Sequence, residues 1–222
     1  MEKSNKKNPT FFLILFGAIA FFLVILDFAT KWIAQNLLKD LPGQSAAVIP
    51  SFLYFSLSHN TKAAFSIGLD GPFGRFLGIS ISLVMSALII AYMVLGRKKQ
   101  TPFFQFILAL LAAGAVGNLI DRAFYFKGIV GFDGVIDFIQ VYLLGGPSAK
   151  QSTVIPLNPF PTFNLADSYL VVGVILFVVF LIVDSIKEEA EKRKKEESPI
   201  IYETPDETKK TSEGTNDDGK AN

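Results

Sequence analysis

No cysteine occurs among the 222 residues, and only one histidine, His59. The first absence excludes disulfides, thiolate metal sites, a cysteine nucleophile and a lipidated thiol. The second makes a His-rich metal site or a histidine-based triad hard to build, so neither a metal nor any other cofactor is expected. Charge is also scarce, at 18% of residues against 50% hydrophobic, with 22 Phe and a mean hydropathy of +0.41. The net charge of +1 hides a segregation of charge into short clusters between long apolar runs. Such a chain reads as a membrane protein rather than a soluble domain, and no nucleic-acid partner is expected.

Four segments are long and apolar enough to cross a hydrocarbon core that takes roughly 20 helical residues. They run over about 11–37, 76–95, 102–120 and 162–183. Pro102 and Pro161 stand where a helix start tolerates proline, because the first-turn N–H lacks an intrahelical partner. The expected fold class is an α-helical membrane protein with four transmembrane helices and a small extracytoplasmic β-rich loop region. Its parts are an N-terminus (1–10), a four-helix transmembrane domain (11–185) and a charged tail (186–222). The opening "KSNKK" followed by an apolar run ending "AIA" has the flavour of a cleaved signal peptide. The run continues to Leu26, longer than a usual signal core, so it is read as a retained first helix.

Orientation follows from Lys and Arg at the span ends. Lys3, Lys6 and Lys7 precede the first span, Arg97, Lys98 and Lys99 fill the turn between the second and third, and Lys187 and Lys192–Lys195 flank the fourth. These clusters put both termini and the turn in the cytoplasm, with loops at about 38–75 and 121–161 outside. Alternation in "FLYFSLSHN" predicts one or two strands in the first outer loop, and "GVIDFIQVYLL" in the second reads as a strand or a short interfacial helix. Beyond Pro199 the composition is that of a disordered segment.

Acids and amides gather at the outer ends of the spans: Asp27, Asn60, Asn118, Asp121, Asp137, Asn164 and Asp167. Each has a plain structural reading. Asn164 at a helix start can be an N-cap, Asp121 and Arg122 the charged flank of a span, and Asp27 and Lys31 a self-neutralising pair one turn apart. Collectively they resist that reading. "GNLIDR" places Asn118, Asp121 and Arg122 on one helix face, and "FNLAD" repeats the amide-to-acid spacing of three with Asn164 and Asp167. A serine mechanism through Ser58 and His59 lacks a glycine-framed elbow, no serine stands out beside Lys31, and no H-E-x-x-H pair offers zinc. A pair of carboxylates remains, one holding a proton while the other stays charged. A proton-coupled transporter using Asp27, Asp121 and Asp167, or a non-catalytic scaffold, are the alternatives.

The chain resembles lipoprotein signal peptidase (signal peptidase II), a family of bacterial intramembrane aspartyl proteases. The matching pieces are "DFATK" at 27–31, "NTKAAFS" at 60–66, "GNLIDR" at 117–122, "GVIDF" at 134–138 and "FNLAD" at 163–167. The resemblance implies Asp137 and Asp167 as catalytic aspartates, with Asp27, Lys31, Asn60, Asn118, Asp121, Arg122 and Asn164 in support. It implies cleavage of prolipoprotein signal peptides before a diacylglyceryl-modified cysteine. It also implies contact with membrane lipids, sensitivity to the cyclic peptide globomycin, and a place in the bacterial cytoplasmic (inner) membrane. Two departures stand out. Lys62 replaces the glycine usual in the N-T-G-A-A-F-S motif, and the 123–136 stretch is longer than expected, adding Asp133 as a rival to Asp137.

Overall fold

The computed structural model describes residues 8–61, 71–126, 134–143, 145–147 and 158–196. Lys62, Asp133 and the tail beyond Glu196 lie outside the described residues. Four long helices are present: α1 (Pro9–Leu38), α2 (Gly71–Leu95), α3 (Pro102–Phe126) and α4 (Leu165–Glu196). All four are long and apolar enough to span a bilayer. Helix α3 runs six residues past the expected end at Ile120, so "DRAFYF" is helical and the second loop starts later than position 121. Helix α4 starts at Leu165 rather than near Thr162, because Phe163 is held in a β-bridge.

Helix α3 is the centre of the membrane domain. Of its most apolar window 67% is buried, against 6% for α1 and for α4, whose Phe21, Phe22, Val171 and Val174 face outward. An apolar residue exposed on a spanning helix is solvated by lipid tails, so only the central helix reads as a protein core. Met93, Phe104, Ile107, Leu108 and Ala109 form that core. Phe104 packs on Phe177 and Phe180 of α4 with ring centroids 6.0 and 4.9 Å apart. The approach of α4 to α3 depends on small residues. A Cβ at Gly114 would lie 2.5 Å from the Ala166 carbonyl oxygen, and one at Gly117 2.7 Å from Asp27 Oδ2.

The three strands β1 (Ser45–Ile49), β2 (Leu53–Asn60) and β3 (Val135–Val141) form one antiparallel sheet with β2 in the middle. The alternating first loop therefore gives both strands allowed for it, and "GVIDFIQVYLL" resolves as a strand. The sheet packs on the last turns of α1 through Ala34, Leu38, Leu57, Ile136 and Phe138. Pairing of Ser58 with Asp137 fixes where the acid falls along β3. Phe163 then joins the other edge of β3 through backbone bonds with Phe138 and Ile139, which brings Asn164 beside Asp137.

Candidate active site

The first turn of α4 carries reciprocal capping. Asn164 Oδ1 accepts from the Asp167 N–H at 2.9 Å, and Asp167 Oδ2 accepts from the Asn164 N–H at 3.2 Å. This is a capping box, which satisfies orphan donors at a helix start. A third comes from a distant helix: the Ala166 N–H donates to Asp27 Oδ1 at 2.9 Å. The plain reading of Asn164 as an N-cap is thus correct, and it covers only half of the side chain.

The other half faces Asp137. Because the Asn164 carbonyl oxygen is committed to the cap, its amide nitrogen must point the opposite way. It donates to Asp137 Oδ1 at 2.7 Å, to Asn118 Oδ1 at 3.2 Å and to the Ile136 carbonyl at 3.3 Å. Asn118 is oriented by the same logic. Lys31 Nζ can only donate, and it lies 3.3 Å from Asn118 Oδ1, so the Asn118 amide nitrogen is left to donate to Asp167 Oδ1 at 2.7 Å. Two amides therefore connect Asp137 to Asp167 in a directed chain.

Lys31 holds the acids that are left over. Its ammonium pairs with Asp27 at 2.7 Å and Asp121 at 2.9 Å, all three side chains being only 1% exposed. Asp121 also accepts from the Ile136 N–H at 3.3 Å, tying α3 to β3. The expected Asp27–Lys31 neutralisation is present, as one arm of a three-residue cluster. Arg122 donates to Ser82 of α2 at 3.0 Å and lies within the electrostatic reach of Asp167, Asp121 and Asp137. Asn60, at the exposed end of β2, hydrogen-bonds Asp137.

All nine residues singled out in the sequence thus converge on one end of the helices. The sequence reading did not single out Ser82, Gly114 or Gly117. The two glycines had a signal, since small residues on an apolar span mark close helix approach, whereas Ser82 had none that set it apart. Asp137 is 3% exposed. Burial first, and then the charge of Asp167, raise its carboxyl from 3.8 to about 7, against the opposing pull of Asn164, Lys31 and Asn60. The arrangement supplies an acid that retains a proton near neutrality beside a second, half-buried carboxyl, the requirement for paired-carboxylate hydrolysis. Among the described residues no cluster of metal-binding side chains occurs.

The sequence profile described as signal peptidase (SPase) II matches residues 19–183. Lipoprotein signal peptidases of Staphylococcus aureus strains RF122 and MRSA252 are each 35% identical over 178 residues, covering 80% of this chain and 91% of the relative. Two solved structures of a bacterial membrane enzyme, determined in meso at 2.3 and 1.9 Å resolution, superpose with TM-scores of 0.54 and 0.53. They are 33% and 32% identical, covering 78% and 76% of this chain and 88% and 91% of theirs. With the match extending over all four helices and the sheet, the chain belongs to the signal peptidase II family, multi-pass membrane proteases that remove signal peptides from lipoproteins.

Proposed function

We propose that Asp137 and Asp167 are the catalytic pair of this peptidase, cutting the prolipoprotein before its diacylglyceryl-modified cysteine. The observation that carries the assignment is the amide bridge. Asn164 and Asn118 together touch both carboxyls, while the other two buried acids among the described residues, Asp27 and Asp121, are engaged by Lys31. One carboxylate of the pair takes a proton from water as that water attacks the scissile carbonyl. The other donates a proton to the developing oxyanion. Asp137 suits the donor role, being protonated up to about pH 7. Asn60 and Arg122 flank the pair and are assigned to the substrate's polar backbone. Lys31, Asp27 and Asp121 are assigned to holding α1, α3, β3 and α4 in register.

Orientation in the bilayer follows from the basic turn Arg97–Lys99, which belongs on the cytoplasmic side of the bacterial inner membrane. The aspartates then meet the outer leaflet, where a lipid-anchored substrate presents its cysteine. A globomycin-like cyclic peptide fits as an inhibitor that hydrogen-bonds the same pair. The transporter and scaffold readings are set aside by the family membership.

Asp137→Asn and Asp167→Asn, assayed on a lipidated prolipoprotein in detergent, should each lose roughly 10²–10⁴-fold in kcat with normal insertion. Near-normal cleavage by either variant would overturn the assignment. A reporter inserted at Lys98 should read cytoplasm and one at Gly145 the outside; the inverse result would exclude the orientation.

A further inference from the structure

We propose a second site at the opposite end of the helices: a cleft that holds the headgroup of an anionic phospholipid bearing hydroxyl groups. The cleft has a volume of about 490 Å³ and lies between the starts of α1 and α3 and the α2–α3 turn. Pro9 and Asp27 are 18 residues apart on α1, or about 27 Å at the helical rise. That is close to a hydrocarbon thickness, so the cleft sits at headgroup depth in the leaflet opposite the aspartates.

Its lining is chemically specific. Arg97 and Lys98 supply two positive charges, and among the described residues no acid lines the cleft. Arg97 spends one nitrogen on the Val94 carbonyl, which anchors the guanidinium and leaves its other donors available for a phosphate. Phe12 offers an apolar wall to the glycerol backbone and first methylenes.

Two glutamines then select what is attached to the phosphate. Gln105 is 1% exposed, and its amide nitrogen is committed to the Arg97 carbonyl at 3.3 Å. Gln100 likewise commits its nitrogen to the Tyr92 carbonyl at 2.8 Å. Both amide oxygens are buried with no hydrogen-bond partner among the described residues. A buried acceptor without a donor costs on the order of 1–3 kcal/mol, and both glutamines line the cleft, so a ligand that brings donors and draws these amides toward it is favoured. A phosphate has none to give as a diester; a glycerol headgroup has two hydroxyls. Cations for the phosphate and acceptors for the hydroxyls thus describe a phosphatidylglycerol-like headgroup.

Native mass spectrometry of the full chain tests this, with phosphatidylglycerol, phosphatidylmethanol (anionic, no hydroxyl donor), phosphatidylcholine and inorganic phosphate as probes. Retention should fall in the order phosphatidylglycerol, phosphatidylmethanol, phosphatidylcholine, and millimolar phosphate should not displace the lipid. Arg97→Gln with Lys98→Gln should reduce the preference over phosphatidylcholine about fivefold per charge removed, with Lys99 kept to hold orientation. Gln105→Met should abolish the preference for phosphatidylglycerol over phosphatidylmethanol while leaving both ahead of phosphatidylcholine. Retained prolipoprotein cleavage checks folding, and if the double variant fails that check the Gln105→Met result decides. Equal retention of the anionic and zwitterionic lipids, displacement by inorganic phosphate, or a Gln105→Met pattern identical to that of the parent chain would each overturn the proposal.

Discussion

The two ends of the membrane domain treat charge in opposite ways. At the aspartate end Asp27, Lys31, Asp121 and Asp137 are at most 3% exposed, and each is paired or hydrogen-bonded. At the other end Lys98 and Lys99 stand exposed in a short turn. A charge removed from water must be compensated by partners in fixed positions, whereas an exposed one is compensated by water. The first end is therefore a structure that a single substitution can break. The second keeps its exposed lysines compensated by water, so a substitution at one of them costs little stability.

Lys31→Met should be the most damaging change to folding. It leaves Asp27 and Asp121 buried without their shared cation, and breaking a buried pair costs about 3–5 kcal/mol. Lys98→Gln should change stability by no more than about 0.5 kcal/mol, as surface substitutions do. Denaturation of both variants in the same detergent checks the contrast; equal losses would erase the distinction between the ends.

Asn164→Ser sharpens the comparison within the aspartate end. A serine oxygen still caps the Asp167 N–H but cannot donate to both Asp137 and Asn118. Helix stability should be nearly kept while cleavage falls roughly tenfold to a hundredfold, the loss expected for about 1–3 kcal/mol of hydrogen bonding to an ionisable group. Equal losses of stability and cleavage would reduce Asn164 to a cap.

The pH dependence should show the same asymmetry. A carboxyl raised from 3.8 to about 7 binds its proton more tightly in the folded chain than in the unfolded one. Its contribution to stability is thus fully present below about pH 4 and fades as pH rises to about 7. Cleavage should decline above about pH 7, approaching roughly tenfold per unit as the proton donor is lost. A flat profile from pH 6 to 9 would remove Asp137 from the donor role. The smallest effect is expected from truncation after Glu196: the removed residues are mostly polar, and cleavage should change less than about twofold, a shift within the range of surface changes.

Much of this was legible because membrane insertion writes itself in long, unmixed runs. Four spans, two loop strands and nine polar residues could be named from spacing and motif. The ends of α3 and α4 could not, since "DRAFYF" is too polar to count as a span and Phe163 is drawn into the sheet by β3. The repeated amide-to-acid spacing suggested shared work by Asn118 and Asn164. It did not reveal that each amide's direction is set by a different neighbour, Lys31 for one and the Asp167 N–H for the other.

The sequence by itself determined that the chain crosses a bilayer, that its acids collect at one depth, and that thiol chemistry has no cysteine to use. These follow from composition and from helical and strand periodicity, which are local properties. Only the tertiary structure decided which acids share a cation and which are linked through amides. Asp27 and Asp121 share Lys31 across two helices, while Asp137 reaches Asp167 through amides carried by α3 and the start of α4. Partner choice among four aspartate carboxyls is a matter of distance in space. Gly114 and Gly117 let α4 and Asp27 come close enough to α3 for that choice to be made.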